Sequence, residues 1–412
     1  MIATSSLGVR LRQTRELSDY SQQDIADILG MARGVVSYWE NDRRVPSFGQ
    51  LARLAEVYGV TTASLLGTDP PPVASEEHEL MYRGLRTQKA RTRAAVRRWL
   101  TFLDDWAGLQ AACGVDLPGR FVPPKREWRA ARAITDSRLA PRFAEDVRAF
   151  YDLGSDAIPD LLAFLDSEGV LVYRAALDRI DEDGVSGVFY NHPRLGPCIL
   201  VNTMTTPGRQ MFTLAHEFAH ALFHYQERGL VSRAGAPERT ERFADAFAAH
   251  FLVPSEALRR RVEARATGKS LTPVDVIDLH RYFRVNYATM LIRLRSEGLL
   301  SPDLFDLYRG YSPSHLAARL GLPYDEYTLA VSDGPFEVAL GNYPASVLDR
   351  MRQLVADGEV SPAAAADLLQ VPVEEVLERL LATPEPATPE DQREFAELPK
   401  PTTRRGEGSR SV

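Results

Sequence analysis

Cysteine is nearly absent: Cys113 and Cys198 are the 2 in a chain of 412 residues. They stand far apart and outside any paired metal spacing, which excludes a disulfide framework and agrees with a reducing compartment. Long apolar runs are missing too. No stretch approaches the roughly eighteen residues of a membrane span, and the opening MIATSSLGVRLRQTRE has no basic-then-apolar leader. A cytoplasmic protein without membrane contacts is therefore expected. Nor is there an excess of positive charge. Lys and Arg total 49 against 56 Asp and Glu, a net -7, so nothing pulls the whole chain toward nucleic acid. Any DNA binding must come from a local surface.

What is present suits a globular protein of two or three domains: 44% of residues are hydrophobic and 25% charged, in a chain too long for one core. Composition shifts divide it. Residues 1–67 carry short amphipathic helical patterns, and 68–78, with Pro70-Pro71-Pro72, read as a linker. Residues 79–142 read as a helical basic connector, with Arg83, Arg86, Lys89, Arg91, Arg93, Arg97 and Arg98 on a helix over 80–100. A solvated face is the expectation for that helix. Residues 143–300 mix a helix, three β-rich runs (GVLVYRAAL, GVSGVFYN, CILVN) and two strongly apolar helices at 210–225 and 239–252. Residues 301–382 return to short helices, read as packing or protein-interaction units, and the Pro-rich, charged tail 383–412 is expected to be disordered. The fold class expected is multi-domain and mainly α with a small β-sheet.

Near the N-terminus, SQQDIADILGMARGVVSYWENDRRVP reads as two helices joined by a tight turn at Gly30. Ser21 caps the first, Ile25, Ala26 and Leu29 face inward, and Val36 and Trp39 do so from the second. Arg33, Gly34, Val35, Ser37 and Tyr38 are left outward or partly so, and Gln22 is placed to touch backbone phosphate. With Trp39-Glu40, Pro46 and LARLAEVYGVTTASLLG, the segment resembles the Cro/repressor (XRE) helix-turn-helix family, a five-helix domain. That resemblance implies that Arg33, Gly34, Val35, Tyr38 and Asn41 read bases or phosphates. Residues 1–67 hold seven basic and seven acidic side chains, however. A lone neutral copy should bind weakly, because affinity draws on counterion release. A homodimer, or help from the basic helix, would offset this; the other reading is a helix-turn-helix that holds a protein partner.

The chemistry-bearing motif is His216-Glu217-Phe218-Ala219-His220. Residues four apart share a helix face, so both imidazoles can hold one zinc ion, with Glu217 beside them to take a proton from water and pass it to a leaving amine. The surrounding Met211, Phe212, Leu214, Phe218, Leu222 and Phe223 mark a buried helix, where two histidines and a glutamate need a shared purpose. No histidine stands ten residues past His216, where the chain has Gln226. Glu241 is the best third ligand, with Ala244 and Ala248 on its face to allow close approach; Glu238 is weaker. Asp245, expected to be buried, would accept an N–H from a ligand histidine, and His224 reads as a neighbour of the site. Tyr190, His192 and Tyr225 are possible oxyanion donors by sequence proximity alone; each reads rather as an ordinary structural residue, and the role is left unassigned. The strand CILVN could pair with an extended substrate or serve as an ordinary core strand.

The order of elements looks like the ImmA/IrrE family of metallopeptidases: a sheet, HExxH, then E-x-x-A-[ND]-x-F-A ending in Val-Pro. AFYDLGSDAIPDLLAFLDSEGVLVY, PCILVN, FTLAHEFAHALFH and ERFADAFAAHFLVP carry the likeness. It implies an α+β zincin-like core with a gluzincin-like ligand set, His216, His220 and Glu241 on Zn2+, and Glu217 as general base. Asp245 stands where the family often has Asn, and His250 where Glu is common. It further implies that a protein substrate, a helix-turn-helix repressor, is cleaved to derepress phage, mobile-element or stress genes. The alternatives are a DNA-binding regulator whose metal domain is sensory or structural, and self-cleavage within 68–77. Manganese or iron could also use such ligands; zinc is preferred on the motif.

Overall fold

A computed structural model describes residues 6–67, 85, 88–114, 121, 123–125, 127–128, 136–178, 184–224, 229–233, 239–265, 270–322 and 339–382. The proposed linker and tail lie outside these residues.

Five short helices form the N-terminal unit: α1 (Leu7–Leu17), α2 (Gln22–Leu29), α3 (Arg33–Glu40), α4 (Phe48–Tyr58) and α5 (Thr62–Leu66). Local chemistry sets their ends. Ser21 with Asp24 and Ser47 with Gln50 are reciprocal capping boxes that satisfy the first free N–H groups of α2 and α4. Gly30 ends α2 at φ 65°, a left-handed turn that costs glycine little and sets α3 across α2. Ile25, Ala26, Val36, Trp39, Leu54 and Tyr58 close the core. Inside it Arg15 donates to both Glu40 oxygens, at 2.6 and 3.1 Å, and to the Tyr20 carbonyl.

The basic helix is α6, Ala90–Ala112; it runs further than the sequence pattern predicts, and most of the expected first turns, residues 80–84, 86 and 87, lie outside the described residues. Its arginines are not a solvated face. Arg93 and Arg97 lie over the Tyr20 ring at 4.9 and 5.7 Å, Arg93 meets Asp24, and Arg97 donates to the carbonyls of Ser18 and Tyr58. Arg98 faces Glu56. The cause is the helix's other residues: Val96, Trp99, Leu100, Leu103 and Trp106 are buried, so the helix is held down and its arginines must find partners at the seam. Arg83 and Arg86 are outside the described residues.

After α7 (Ala140–Phe150) and α8 (Leu161–Ser167) come β1 (Leu171–Ala175), β2 (Val185–His192) and β3 (Gly196–Asn202). A fourth strand, β4 (Gly229–Arg233), makes the sheet order β1-β3-β2-β4, with β1 parallel to β3 and the other pairs antiparallel. Every residue of β3 is buried because the sheet is covered on both faces. Side chains alternate accordingly: Phe189, Ile199 and Val201 enter one core, and Val188, Tyr190, Cys198 and Leu200 the other.

The first core lies between the sheet and α9 (Pro207–Phe223), α10 (Arg239–Leu252), α11 (Ser255–Arg265), α12 (Pro273–Tyr282) and α13 (Tyr287–Ser296). Tyr308 of α14 (Pro302–Tyr308) and Leu316 of α15 (Pro313–Arg319) pack onto it. The second lies between the opposite face, α6, α16 (Ala345–Ala356), α17 (Pro362–Leu369) and a last helical stretch over Val373–Leu380.

Candidate metal centre

Helix α9 begins at Thr206-Pro207, a start that needs no amide donor at its first position. Its His216, Glu217 and His220 are all buried in the C-terminal half. Helix α10 crosses it through Ala244 and Ala248, both fully buried, and this close approach carries Glu241 to the histidines. His216 Nε2 lies 3.1 Å from Glu241 Oε2 and 3.1 Å from His220 Nε2, and His220 Nε2 lies 3.4 Å from Glu241 Oε1.

These spacings fit a metal. A tetrahedral zinc with ligands at 2.0–2.1 Å needs neighbouring donor atoms roughly 3.3 Å apart. Donor type fits as well: two imidazole nitrogens and a carboxylate oxygen, within 4.8 Å of one another and buried, could hold a divalent cation. Each histidine is also oriented from behind, His216 Nδ1 by Asp245 Oδ1 at 2.9 Å and His220 Nδ1 by His224 Nδ1 at 3.0 Å.

Electrostatics point the same way. Burial alone would lower His216, but Asp245 and Glu241 outweigh it and hold the imidazole's pKa up at about 10. Burial lowers His220. Burial would raise Glu241, yet the two histidines hold its carboxyl well below the usual carboxylate range. His216 thus lies between two carboxylates, with Nδ1 toward Asp245 and Nε2 toward Glu241, and a metal held on the Nε2 side requires that nitrogen free of its proton.

Glu217 projects from the same helix to strand β2, where a Cβ added at Gly187 would lie 2.6 Å from its Oε1. Beside His216 opens a cleft of about 1060 Å³, lined among others by Arg209, Phe212, Arg242, Asp245 and Tyr287.

One sequence expectation is corrected and others are narrowed. Asp245 reaches His216, but its side chain is 60% exposed, so the contact arises from geometry and not from the cost of burying a carboxylate. Tyr190 faces the second core, across the sheet from α9. His192 accepts from the amides of Arg194 and Leu195 through Nδ1 and meets Asp104 of α6 through Nε2, which makes it a brace of the β2–β3 turn. Strand β3 has β1 on one side and β2 on the other, leaving no edge for a substrate to pair with. Tyr225 and Glu238 are outside the described residues. Three participants had no assigned role in the sequence: Gly187, which matches no motif; Asn202, a fully buried polar residue closing an apolar strand; and Arg293, which approaches His250 Nε2 at 3.3 Å. Only the buried polar end of CILVN offered a signal.

On the N-terminal domain, Arg33, Gly34, Tyr38 and Asn41 are exposed and Val35 and Ser37 partly so, on the outer side of α3. Gln22 turns inward and donates to Glu40 at 2.9 Å, while Asn41 bonds the Ser37 carbonyl and accepts from Arg12. Helix α6 packs on α2 and α4, and among the described residues the outer side of α3 stays exposed.

Comparison with known proteins agrees with this division. Residues 165–295 match the family described as IrrE N-terminal-like domain, a peptidase family, and residues 11–65 match a helix-turn-helix family. A 64-residue stretch is 38% identical to the HTH-type transcriptional regulator ImmR of Bacillus subtilis (strain 168), covering 16% of this chain and 50% of that protein. The match thus spans about half the length of that relative. No described helix is long and apolar enough to cross a membrane. The chain joins an N-terminal helix-turn-helix domain to a metallopeptidase-type domain of the IrrE N-terminal-like family.

Proposed function

We propose that the protein is a regulatory zinc metalloendopeptidase of the cytoplasm that cleaves a helix-turn-helix repressor and binds DNA through its own α3. The observation that carries this is the meeting of His216, His220 and Glu241 at tetrahedral spacing, with Glu217 on the same helix and a cleft alongside. His216, His220 and Glu241 would hold the ion, with Asp245 and His224 fixing the imidazoles. A bound zinc ion supplies Lewis acidity, polarising a scissile carbonyl and making water nucleophilic near neutral pH. Glu217 takes the proton from the attacking water at its carboxylate and delivers it to the leaving amine. The cleft's volume, about 1060 Å³, suits a polypeptide segment, and the likeness of the N-terminal domain to a regulator supports a substrate of that type. Contacts to DNA would come from Arg33, Gly34, Val35, Ser37, Tyr38 and Asn41; Gln22, expected at the phosphate side, is instead held by Glu40. A homodimer would double the phosphate contacts of a neutral domain.

The test is co-expression with repressor-like proteins encoded nearby, comparing wild type with Glu217→Ala and following each repressor by gel. One repressor is expected to disappear with the wild type alone. Survival of all of them under every inducing condition would overturn the reading. A second reading, a DNA-binding regulator with a sensory metal domain, is favoured by the α6 seam that fixes the helix-turn-helix unit to the body. Operator affinity that changes on chelation while repressors stay intact would select it.

A further inference from the structure

We propose that Gly187 is a positioning residue: it forms a notch in β2 that seats the Glu217 carboxylate, and Asn202 holds that notch in shape. The inference rests on the peptidase reading for its catalytic meaning, though not for its geometry.

Strand period places Gly187 and Phe189 on the same face, the one α9 crosses. Phe189 packs toward His220, with ring centroids 6.3 Å apart. Two residues earlier the same face meets Thr213 and Glu217, one helical turn apart on α9. Here the strand has no side chain, and none fits. A Cβ at Gly187 would stand 2.6 Å from Glu217 Oε1, 2.6 Å from Thr213 Cγ2 and 3.3 Å from Glu217 Cδ. Contacts under about 3 Å to a buried carboxylate force it to move, and Glu217 has no measurable exposure into which to retreat.

The notch sits where β2 is irregular. Its register against β4 shifts between Val185 and Gly187, a bulge of the kind that re-aims a strand beside a functional group. Asn202, itself fully buried, pins this point. Its Nδ2 donates to the carbonyls of Val185 at 3.0 Å and Asp178 at 2.9 Å, while its Oδ1 accepts from the amides of Leu177 and Met204. With both donors and the acceptor used, the side chain joins the end of β3 to the start of β2 and to the loop after β1. The bulge is therefore set by three chain segments, and the position of Glu217 is set by the bulge. Since general acid–base work needs its carboxylate placed to within a fraction of an ångström, a displacement of about 1 Å should cost on the order of 100-fold in turnover.

The experiment is a cycle on the zinc-loaded full chain, in a Thr213→Ser background that removes the competing methyl contact. Gly187→Ala is made with Glu217 intact and again with Glu217→Ala; Tm and bound zinc are measured for each. The expected result is that Gly187→Ala lowers Tm by several degrees when Glu217 is present and by much less once Glu217→Ala is added, with zinc stoichiometry unchanged. Equal losses in both would overturn the proposal, because the notch would then serve strand–helix packing alone. Should Gly187→Ala fail to fold with Glu217 intact, recovery of folded protein on adding Glu217→Ala supports the notch equally well, and no recovery overturns it. On a repressor that the wild type cleaves, Gly187→Ala in the Thr213→Ser background should reduce kcat about 100-fold with KM nearly unchanged. A fall confined to KM would overturn the positioning role. If the wild type cleaves nothing, the peptidase reading fails, while the thermal cycle still decides whether Gly187 seats Glu217.

Discussion

At the scale of single residues, the ligand histidines depend on what stands behind them. Asp245 is the anionic acceptor for His216 Nδ1, and it is more than half open to solvent, so Asp245→Asn should fold normally. Losing the charge weakens the imidazole as a donor, and zinc affinity should fall about 10- to 100-fold, measured by competition with a chromophoric chelator. An unchanged affinity would show that Asp245 does not act through His216. His250 makes a different prediction. Burial, and then the neighbouring Arg293, lower its pKa to about 4, below the usual 6.5. Between those values the unfolded chain takes up a proton that the native one refuses, so stability falls as pH drops from about 6.5 through about 4. His250→Gln should flatten that part of the profile in urea unfolding; a slope identical to wild type would refute the assignment. The sequence marks this position only as unusual, because the partner that explains it, Arg293, lies 43 residues away.

At the scale of elements, α6 departs furthest from what its sequence suggests. Its basic residues have the look of a solvated stripe, since helical periodicity reports which residues share a face and not what that face meets. Arg93 and Arg97 instead clamp the helix-turn-helix unit through the Tyr20 ring and two carbonyls. Each partly desolvated cation–ring contact is worth up to about 2 kcal/mol. Replacing both arginines by alanine should therefore speed hydrogen exchange in α2 and α4 by at least tenfold, while α9 and α10 keep their protection. Equal protection in both variants would mean that apolar packing by Ala94 and its neighbours holds the seam unaided. Helix ends, by contrast, are legible where they rest on local chemistry: Ser21 caps α2, Gly30 terminates it, and α10 spans the stretch its apolar pattern marks.

At the scale of the whole molecule, the sheet divides two cores, and α6 with the C-terminal helices covers the face opposite the metal centre. Tyr343 of the C-terminal region packs tilted against Phe102 and edge-on against Tyr173, and Val347, Met351 and Leu369 are buried beside them. A fragment of residues 143–300, the unit the sequence suggests for the peptidase, would expose Tyr173, Val188 and Leu200, each worth about 1.5–3 kcal/mol of burial. It should aggregate on size-exclusion chromatography, whereas 1–382 should run as folded protein; a monodisperse fragment would refute this. The pieces whose cause is local follow from the amino-acid order alone: the turn of the helix-turn-helix unit, the two histidines one helical turn apart, the apolar helix that carries them, and the acidic residue on the next helix. The rest comes from packing. Which face α6 covers, that β3 is central and lacks an edge, that His192 braces a turn, and that Gly187 meets Glu217 all depend on contacts between segments distant in the chain. Periodicity describes each segment singly, and only packing selects its partner.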